Sequence, residues 1–268
     1  MKQSNQPLTL FAKVIFWFVA VNALAGAGSL ILLPGQTDAL FFWPIKPPIN
    51  AGLFGALYLG GALMVGWLTY RGAWEPSRFL IPVLVSAGIF ISATTWIHLD
   101  KFTPGFKLWY WLVIYVGAPL LALGIYIQQE RKGANWRVTE PVTPAVLRTA
   151  LVVGGLLVLL GIGLIIAPAY VVSQWPWPTS PLMVRIFASW FSAFGVGLLW
   201  FGVDREWRRL QYVATLMIAA SIFDLAMVVV HRNDLNPVGV NLWIYCFHLA
   251  LFGVLGVFMH WQQRSARD

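Results

Sequence analysis

Eight long apolar runs, separated by short polar or proline-containing breaks, constrain this chain more than any other feature of its sequence. They lie at 8–33, 50–70, 78–98, 108–128, 146–168, 182–203, 210–231 and 241–262. A bilayer core about 30 Å thick is crossed by about 20 residues of helix, and each run is long enough to do so. The runs do not alternate in polarity as barrel strands do. We therefore predict an all-α, polytopic membrane protein with eight transmembrane helices.

The composition supports this class and excludes others. Only 10% of the residues are charged and 59% are hydrophobic, whereas soluble domains carry about 25% charged residues. A soluble enzyme, a disordered chain and a nucleic-acid-binding domain are therefore excluded, and the lipid bilayer is the predicted partner. The net charge of +8 reflects few acids rather than many bases. The single cysteine, Cys246, excludes a disulfide framework, and no zinc or other catalytic motif is present, so neither a metal site nor a catalytic residue is predicted.

The basic residues predict an orientation. Thirteen of the 18 Lys and Arg residues lie in the N-terminal segment, in the loops after the second, fourth and sixth runs, and in the C-terminal segment. Cytoplasmic loops of membrane proteins carry this excess of positive charge. We therefore predict that both termini are cytoplasmic, which agrees with an even number of helices.

An internal repeat divides the chain. At an offset of 133 residues the sequence pairs Trp67 with Trp200, Trp74 with Trp207, and His98 with His231. Rare residues that match along the whole chain indicate a tandem duplication of a four-helix unit. Because four is even, both copies have the same orientation, and we predict a parallel repeat with a pseudo-twofold axis along the membrane normal. The predicted units are residues 1–133 and 134–268.

The candidate binding residues lie in the second unit. Asp224 is an acid inside a predicted span, where ionisable residues are costly and are functional candidates by default. Arg185 and His248 are predicted at a similar depth, and Tyr245 and Ser221 lie near them by helical spacing. We predict a cluster of these side chains in the outer third of the membrane. The alternative, given equal weight, is a purely structural Arg–Asp pair with a neutral histidine that joins three helices.

The outer loops and helix ends supply a second group of candidates. Trp43, Trp175 and Trp177 lie in Trp-Pro segments that are typical of an aromatic belt at the headgroup level, and a ligand-covering lid is the alternative. His98 and His231 end the third and seventh runs. A metal or pigment site is one interpretation of the two histidines. A hydrogen bond at each helix C-terminus is the favoured one.

Three functions remain open from the sequence. The preferred hypothesis is a protein that binds or transports a lipophilic small molecule, such as a lipid, a quinone or a pigment, in an aromatic cavity between the two units. The second is a structural or accessory subunit of a larger membrane complex. The third is an intramembrane enzyme that acts on a lipid or isoprenoid, with His248 as general acid or base. The sequence favours a non-enzyme and assigns no cofactor.

Overall fold

The computed structural model describes residues 6–235 and 240–266, and these residues form an all-α protein. Eight helices are long and apolar enough to cross a membrane, as predicted. In chain order they are α1 Leu10–Leu32, α2 Pro48–Arg71, α3 Trp74–Ile97, α4 Phe106–Glu130, α5 Pro144–Ile166, α6 Pro181–Asp204, α7 Trp207–Val230 and α8 Asn241–Ser265. Each of them covers most of one predicted run.

Local sequence signals set where several helices begin. The Thr9 hydroxyl accepts a hydrogen bond from the Ala12 amide at 3.2 Å, and the Thr143 hydroxyl accepts one from the Val146 amide at 3.3 Å. Threonine in this position satisfies one of the amides that a helix leaves free at its N-terminus. α2, α5 and α6 each have a proline in the first turn, where its missing N–H costs nothing. Capping and proline therefore explain the starts of four helices, α1, α2, α5 and α6.

Helices α2 and α6 form the centre of the molecule. Their most apolar windows are 72% and 61% buried, against 17% for α8. α2 packs against α1 of its own half and α7 of the other half, and α6 packs against α5 and α3 in the same way. We call residues 6–133 the first half and residues 134–266 the second half. Because each central helix contacts the opposite half, the two halves share one interior.

Equivalent hydrogen bonds recur in the two halves. The Thr9 amide donates to the Gln129 side chain at 3.2 Å, and the Thr143 amide donates to the Gln263 side chain at 3.0 Å. The two residues of the first bond are both 134 positions from those of the second. The duplication remains a prediction, and this correspondence supports it.

The turns that follow α2 and α6 also correspond. Gly72 and Arg205 both adopt a left-handed conformation, with φ of 67° and 56°. Glycine adopts this conformation without steric cost, whereas arginine does not. The Leu8 amide donates to the Gly72 carbonyl at 2.8 Å, and the Val142 amide donates to the Arg205 carbonyl at 3.0 Å. The same backbone pairing therefore forms at both places, although only one has the residue best suited to it.

The two ends of the bundle differ in chemistry. We call the end formed by residues 34–47 and 167–180 the tryptophan end, and the end that holds residues 131–143, which join the halves, the linker end. At the linker end the fully buried Arg78 pairs with Glu130 at 2.9 Å and donates to the Asn135 carbonyl at 3.3 Å. Arg209 of the second half donates to the Arg137 carbonyl at 3.1 Å. Both halves therefore bind the linker directly.

Candidate functional site

Four aromatic side chains of the second half pack together at the tryptophan end. The Trp175 ring centroid lies 5.8 Å from that of Trp177, 6.0 Å from that of Phe187 and 5.8 Å from that of Tyr245. The Trp177 and Tyr245 centroids are 5.0 Å apart, with their planes nearly perpendicular. We call these residues the second-half quartet. They join the loop before α6 to α6 itself and to α8.

Asp224 of α7 lies beside this quartet. It is 6% exposed, and its Oδ1 atom has no hydrogen-bond partner among the described residues. The Tyr245 phenol lies within electrostatic range of the carboxyl group. Asp224 is six residues before the end of α7 at Val230, which places it about 9 Å inside the helix end. A buried polar atom without a partner is costly, so this oxygen is the most conspicuous unsatisfied group in the region.

The second-half quartet is not fully enclosed. Trp175 and Tyr245 are both partly exposed. The indole nitrogen of Trp175 is nevertheless buried and lacks a hydrogen-bond partner within the described part of the chain. A hydrogen-bond acceptor, Asp224, and a donor, Trp175, therefore lie close to the same tyrosine.

Trp177 connects this site to the first half. Its indole N–H donates to the Asn50 side-chain oxygen at 2.9 Å, and the Thr179 hydroxyl donates to the same oxygen at 3.3 Å. The Asn50 amide nitrogen donates to the Pro178 carbonyl at 3.1 Å. Asn50 is fully buried near the start of α2, so it fixes the loop of one half on the central helix of the other.

A matching set of aromatic residues occupies the first half. Phe41, Trp43, Phe54 and Trp111 form what we call the first-half quartet. The Trp43 and Trp111 centroids are 5.1 Å apart with an interplanar angle of 89°, close to the values for Trp177 and Tyr245. Phe41 lies 5.0 Å from Trp43, 5.8 Å from Phe54 and 6.1 Å from Trp111. These four residues are 133 or 134 positions before those of the second-half quartet.

The predicted placement of Trp43 and Trp177 in an aromatic belt is wrong. They are 2% and 1% exposed, because they fold inward onto the two quartets instead of facing the headgroup region. Trp96, Trp109 and Trp243, which are 60%, 69% and 69% exposed, are the residues at this end that can face the headgroups. Burial of large rings near a helix end favours a packing or binding role over a belt.

Arg185 does not join Asp224 as predicted. Its Nε donates to the Ile165 carbonyl at 2.8 Å, and its Nη1 lies 2.7 Å from His98 Nε2 in the first half. A guanidinium can only donate, so His98 Nε2 accepts and the imidazole is neutral. Burial, followed by the neighbouring Arg185 charge, lowers the pKa of His98 from its usual value. Arg185 is drawn to His98 because α6 packs on α3, a contact between halves that spacing along one helix does not predict.

His248 and Ser221 also have other roles than those predicted. His248 is exposed, and its Nδ1 lies 2.6 Å from the carbonyl of Ile244, one turn earlier on α8. Ser221 is buried and donates to the Leu249 carbonyl at 2.7 Å, which ties α7 to α8. The predicted cluster of Arg185, Asp224 and His248 therefore does not assemble. Tyr245, which helical spacing places near His248, contributes its ring to the second-half quartet and lies near Asp224.

His231 occupies the position equivalent to His98 and has different neighbours. Its Nδ1 lies 3.6 Å from the Asp234 carboxylate, and that carboxylate also accepts from the Ile49 amide at the start of α2, at 2.9 Å. The other ring nitrogen lies against Gly52, where an added Cβ would be only 2.8 Å away. Gly52 is the equivalent of Arg185. In the first half the His231 ring therefore packs directly on the helix backbone at the position where the second half has a charged side chain.

Sequence reasoning missed a polar group at the middle of the membrane. Tyr58 of α2 and Tyr115 of α4 form a hydrogen bond between their hydroxyl groups. The Trp190 ring of α6 lies 5.6 Å from the Tyr58 ring, and its buried indole nitrogen has no partner among the residues that the structure describes. Tyrosine and tryptophan are common in apolar runs, so only the packing of three separated helices identifies this group.

Comparisons with family profiles, with curated proteins and with solved structures find no significant match for this chain. Within residues 6–235 and 240–266, no three His, Cys, Asp or Glu side chains are grouped so as to hold a metal ion. The two quartets and the polar groups beside them are therefore the features that bear on function.

Proposed function

We propose that this integral membrane protein binds a lipophilic molecule at the second-half quartet, with a hydrogen-bond donor of the ligand placed on Asp224. The observation that carries the proposal is the buried Oδ1 atom without a partner. A hydroxyl or amine group would satisfy it, and the rings of Trp175 and Tyr245 would cover the adjacent apolar part of the ligand.

The surroundings of the carboxyl group narrow the chemistry. Arg185 is engaged by Ile165 and His98, so it does not offer its charge to an anionic headgroup beside Asp224. A hydroxyl fits best because it can donate to Asp224 and accept from the buried indole of Trp175. The proposed ligand is therefore a long-chain or polycyclic alcohol, with a lipophilic amine as the charged variant of the same class.

The proposal is tested by analysing the lipids that copurify with the protein from its native membrane in mild detergent. We expect Asp224→Asn to lose a specific hydroxyl- or amine-bearing lipid and to unfold at an unchanged or higher temperature when ligand-free, because an unpaired carboxyl is costly in an apolar site. A purely structural Asp224 predicts the reverse: an unchanged lipid profile and a lower unfolding temperature.

Glu75 provides the matched control. It is 4% exposed and also has one buried carboxyl oxygen without a partner in the described structure, but it lies at the linker end. We expect Glu75→Gln to leave the lipid profile unchanged. Equal loss of the lipid in both variants would contradict a specific site at Asp224.

No observation on the described residues specifically supports the enzyme hypothesis or the accessory-subunit hypothesis. The enzyme hypothesis required His248 to be oriented by Asp224, and His248 instead contacts its own helix. An accessory subunit would present a partner-binding surface, and no contact of the described residues favours one lipid-facing helix over another. Ligand binding therefore remains the function that the geometry supports best.

We also propose that the linker end is cytoplasmic, on the basis of the distribution of Lys and Arg. A cysteine introduced at Lys132, with Cys246 replaced by serine, should react with a membrane-impermeant maleimide only after the membrane is opened. A cysteine at Lys101, at the tryptophan end, should react in intact cells. The opposite pattern would reverse the assignment.

A further inference from the structure

The hydroxyl groups of Tyr58 and Tyr115 have one proton more than their mutual hydrogen bond uses. Each hydroxyl carries one donor proton, and only one of the two can lie between the oxygens. Neither phenol has a second hydrogen-bond partner among the described residues. One phenolic proton is therefore available to an acceptor that the described residues do not supply.

Trp190 presents a second unused donor to the same region. Its indole nitrogen is buried and unpartnered within the described chain, and its ring packs on Tyr58 and, at 3.7 Å from the position of an added Cβ, on Gly61. Two donors without acceptors thus lie around one tyrosine. Two donors together select an acceptor with two lone pairs, which a carbonyl oxygen provides.

The depth of these residues restricts the source of the carbonyl. Tyr58 is ten residues after the start of α2 at Pro48, and both Tyr115 and Trp190 are nine residues after the starts of α4 and α6. At about 1.5 Å per residue, all three lie about 14 to 15 Å from the tryptophan end, near the middle of a hydrocarbon core about 30 Å thick. Phospholipid ester carbonyls lie at the interface, so the depth favours a molecule with a carbonyl inside the hydrocarbon.

We propose that Tyr58, Tyr115 and Trp190 form a second binding site, for the carbonyl oxygen of a lipophilic ketone or quinone. Tyr115 and Trp190 are partly exposed, which gives the ligand a route from the lipid. The site is independent of Asp224. Its positions in the other half are Phe191, Leu249 and Leu57, which offer no side-chain hydrogen bond, so the site is specific to this part of the molecule.

The experiment uses nonadecan-10-one with a 13C-labelled carbonyl, titrated into the full-length protein in lipid nanodiscs. The infrared carbonyl band reports hydrogen bonding by moving to lower frequency. We expect a saturable shifted band in the wild type and about a tenfold weaker apparent affinity in the Tyr58→Phe/Tyr115→Phe double variant, because that variant loses one of the two donors to the ligand.

The single variants make the test specific. Tyr58→Phe and Tyr115→Phe should each keep the shifted band, since the remaining phenol no longer donates to its neighbour and can donate to the ligand. Trp190→Phe should weaken binding without abolishing it. Tyr110→Phe, which removes another α4 hydroxyl that donates to Asn22, is the matched control and should change nothing, as should Asp224→Asn.

Three results would overturn the proposal: no shifted band in the wild type, the same band and affinity in the double variant, or the same variant-dependent shift from a phospholipid labelled at its ester carbonyls. The last result would assign the site to bilayer lipid. Loss of the shifted band in Asp224→Asn as well would merge the two sites into one and end the claim that they are independent.

Discussion

The two aromatic quartets have similar ring geometry. They differ in the neighbouring residue of α3 or α7, which is Ile91 in the first half and Asp224 in the second. In the first half Trp111 is fully buried and donates from its indole nitrogen to Thr95 at 2.8 Å. In the second half the equivalent of Trp111 is the partly exposed Tyr245, the equivalent of Thr95 is Val228, and Asp224 replaces Ile91. In the first quartet the Trp111 indole has a hydrogen bond, although the buried Trp43 indole nitrogen has no partner in the described chain; the second quartet lies beside a carboxyl oxygen that also lacks a partner there.

Under the proposed function, this difference separates a packing role of the first-half quartet from a binding role of the second-half quartet. Aromatic rings packed at similar distances stabilise both halves, so packing alone does not explain why Asp224 occupies the position that corresponds to Ile91. The proposed duplication and ligand binding together predict such a difference, since one copy can keep a packing role while the other acquires a site.

The largest difference is expected when the central ring of each quartet is removed. Trp111→Ala should lower the free energy of unfolding by about 3 to 5 kcal/mol, because it empties a fully buried site. Tyr245→Ala should cost about 1 to 2 kcal/mol, since that ring is partly exposed and already borders the surroundings. Unfolding in mixed micelles with increasing denaturing detergent measures both, and equal losses would contradict the distinction between a closed and an open quartet.

Asn50→Ala tests how the second-half quartet is held in place. The variant leaves the buried Trp177 N–H without its acceptor, and we expect a loss of about 2 to 3 kcal/mol. The Met183→Ala variant at the equivalent position serves for comparison and should cost a similar amount through its cavity. Only Asn50→Ala should also alter the tryptophan fluorescence of the site, and an unchanged spectrum would show that Trp177 does not depend on Asn50.

The hydrogen-bonding groups beneath the two quartets should respond in opposite directions. Thr95→Val should destabilise the protein by about 1 to 2 kcal/mol, because the Trp111 indole loses its buried acceptor. Asp224→Asn should leave ligand-free stability unchanged or raise it by about 1 kcal/mol. Both variants are compared in the same mixed-micelle unfolding assay, and a clear loss of stability in Asp224→Asn would make its carboxyl group structural.

The smallest expected effect is the pH dependence of stability that arises at the contact between His98 of the first half and Arg185 of the second half. The pKa of His98 in the folded protein is lowered by burial and by Arg185, whereas the unfolded chain has the usual value of about 6.5. The unfolded state therefore binds more protons as the pH falls below 6.5, and stability decreases in that direction. The unfolding midpoint should fall between pH 7.5 and pH 5.5, and His98→Gln should reduce that slope; an identical slope would show that His98 does not titrate at this contact.

The sequence predicts the helices well because their signal is local. Length, hydropathy and capping threonines act within one segment, and α2 and α6 begin within two residues of the predicted starts. The offset of 133 residues also predicts which positions correspond. The local helix signals and the repeat offset can both be read from one sequence without knowing how its helices pack.

The candidate site was predicted only in part because its partners come from different halves. Helical spacing gives the depth of Arg185 and His248 but not the helix that each side chain meets, and small errors of rotation turn a residue from the interior to the lipid. The packing of α6 on α3 places the Arg185 guanidinium within hydrogen-bond distance of His98, and the His248 side chain is exposed. The sequence does predict a similar depth for Asp224 and the candidate residues on α8, since neighbouring antiparallel helices bring equal depths together.

The attachment of residues 131–143 to both halves limits how the halves can move relative to each other. Arg78 of the first half and Arg209 of the second half each donate to a backbone carbonyl of this segment. Each guanidinium also has a carboxylate partner, Glu130 for Arg78 and Asp204 for Arg209. Rocking of one half against the other would therefore strain contacts made by two buried charged groups. This attachment favours the proposed ligand-binding function over a transport cycle in which the two halves rock against each other.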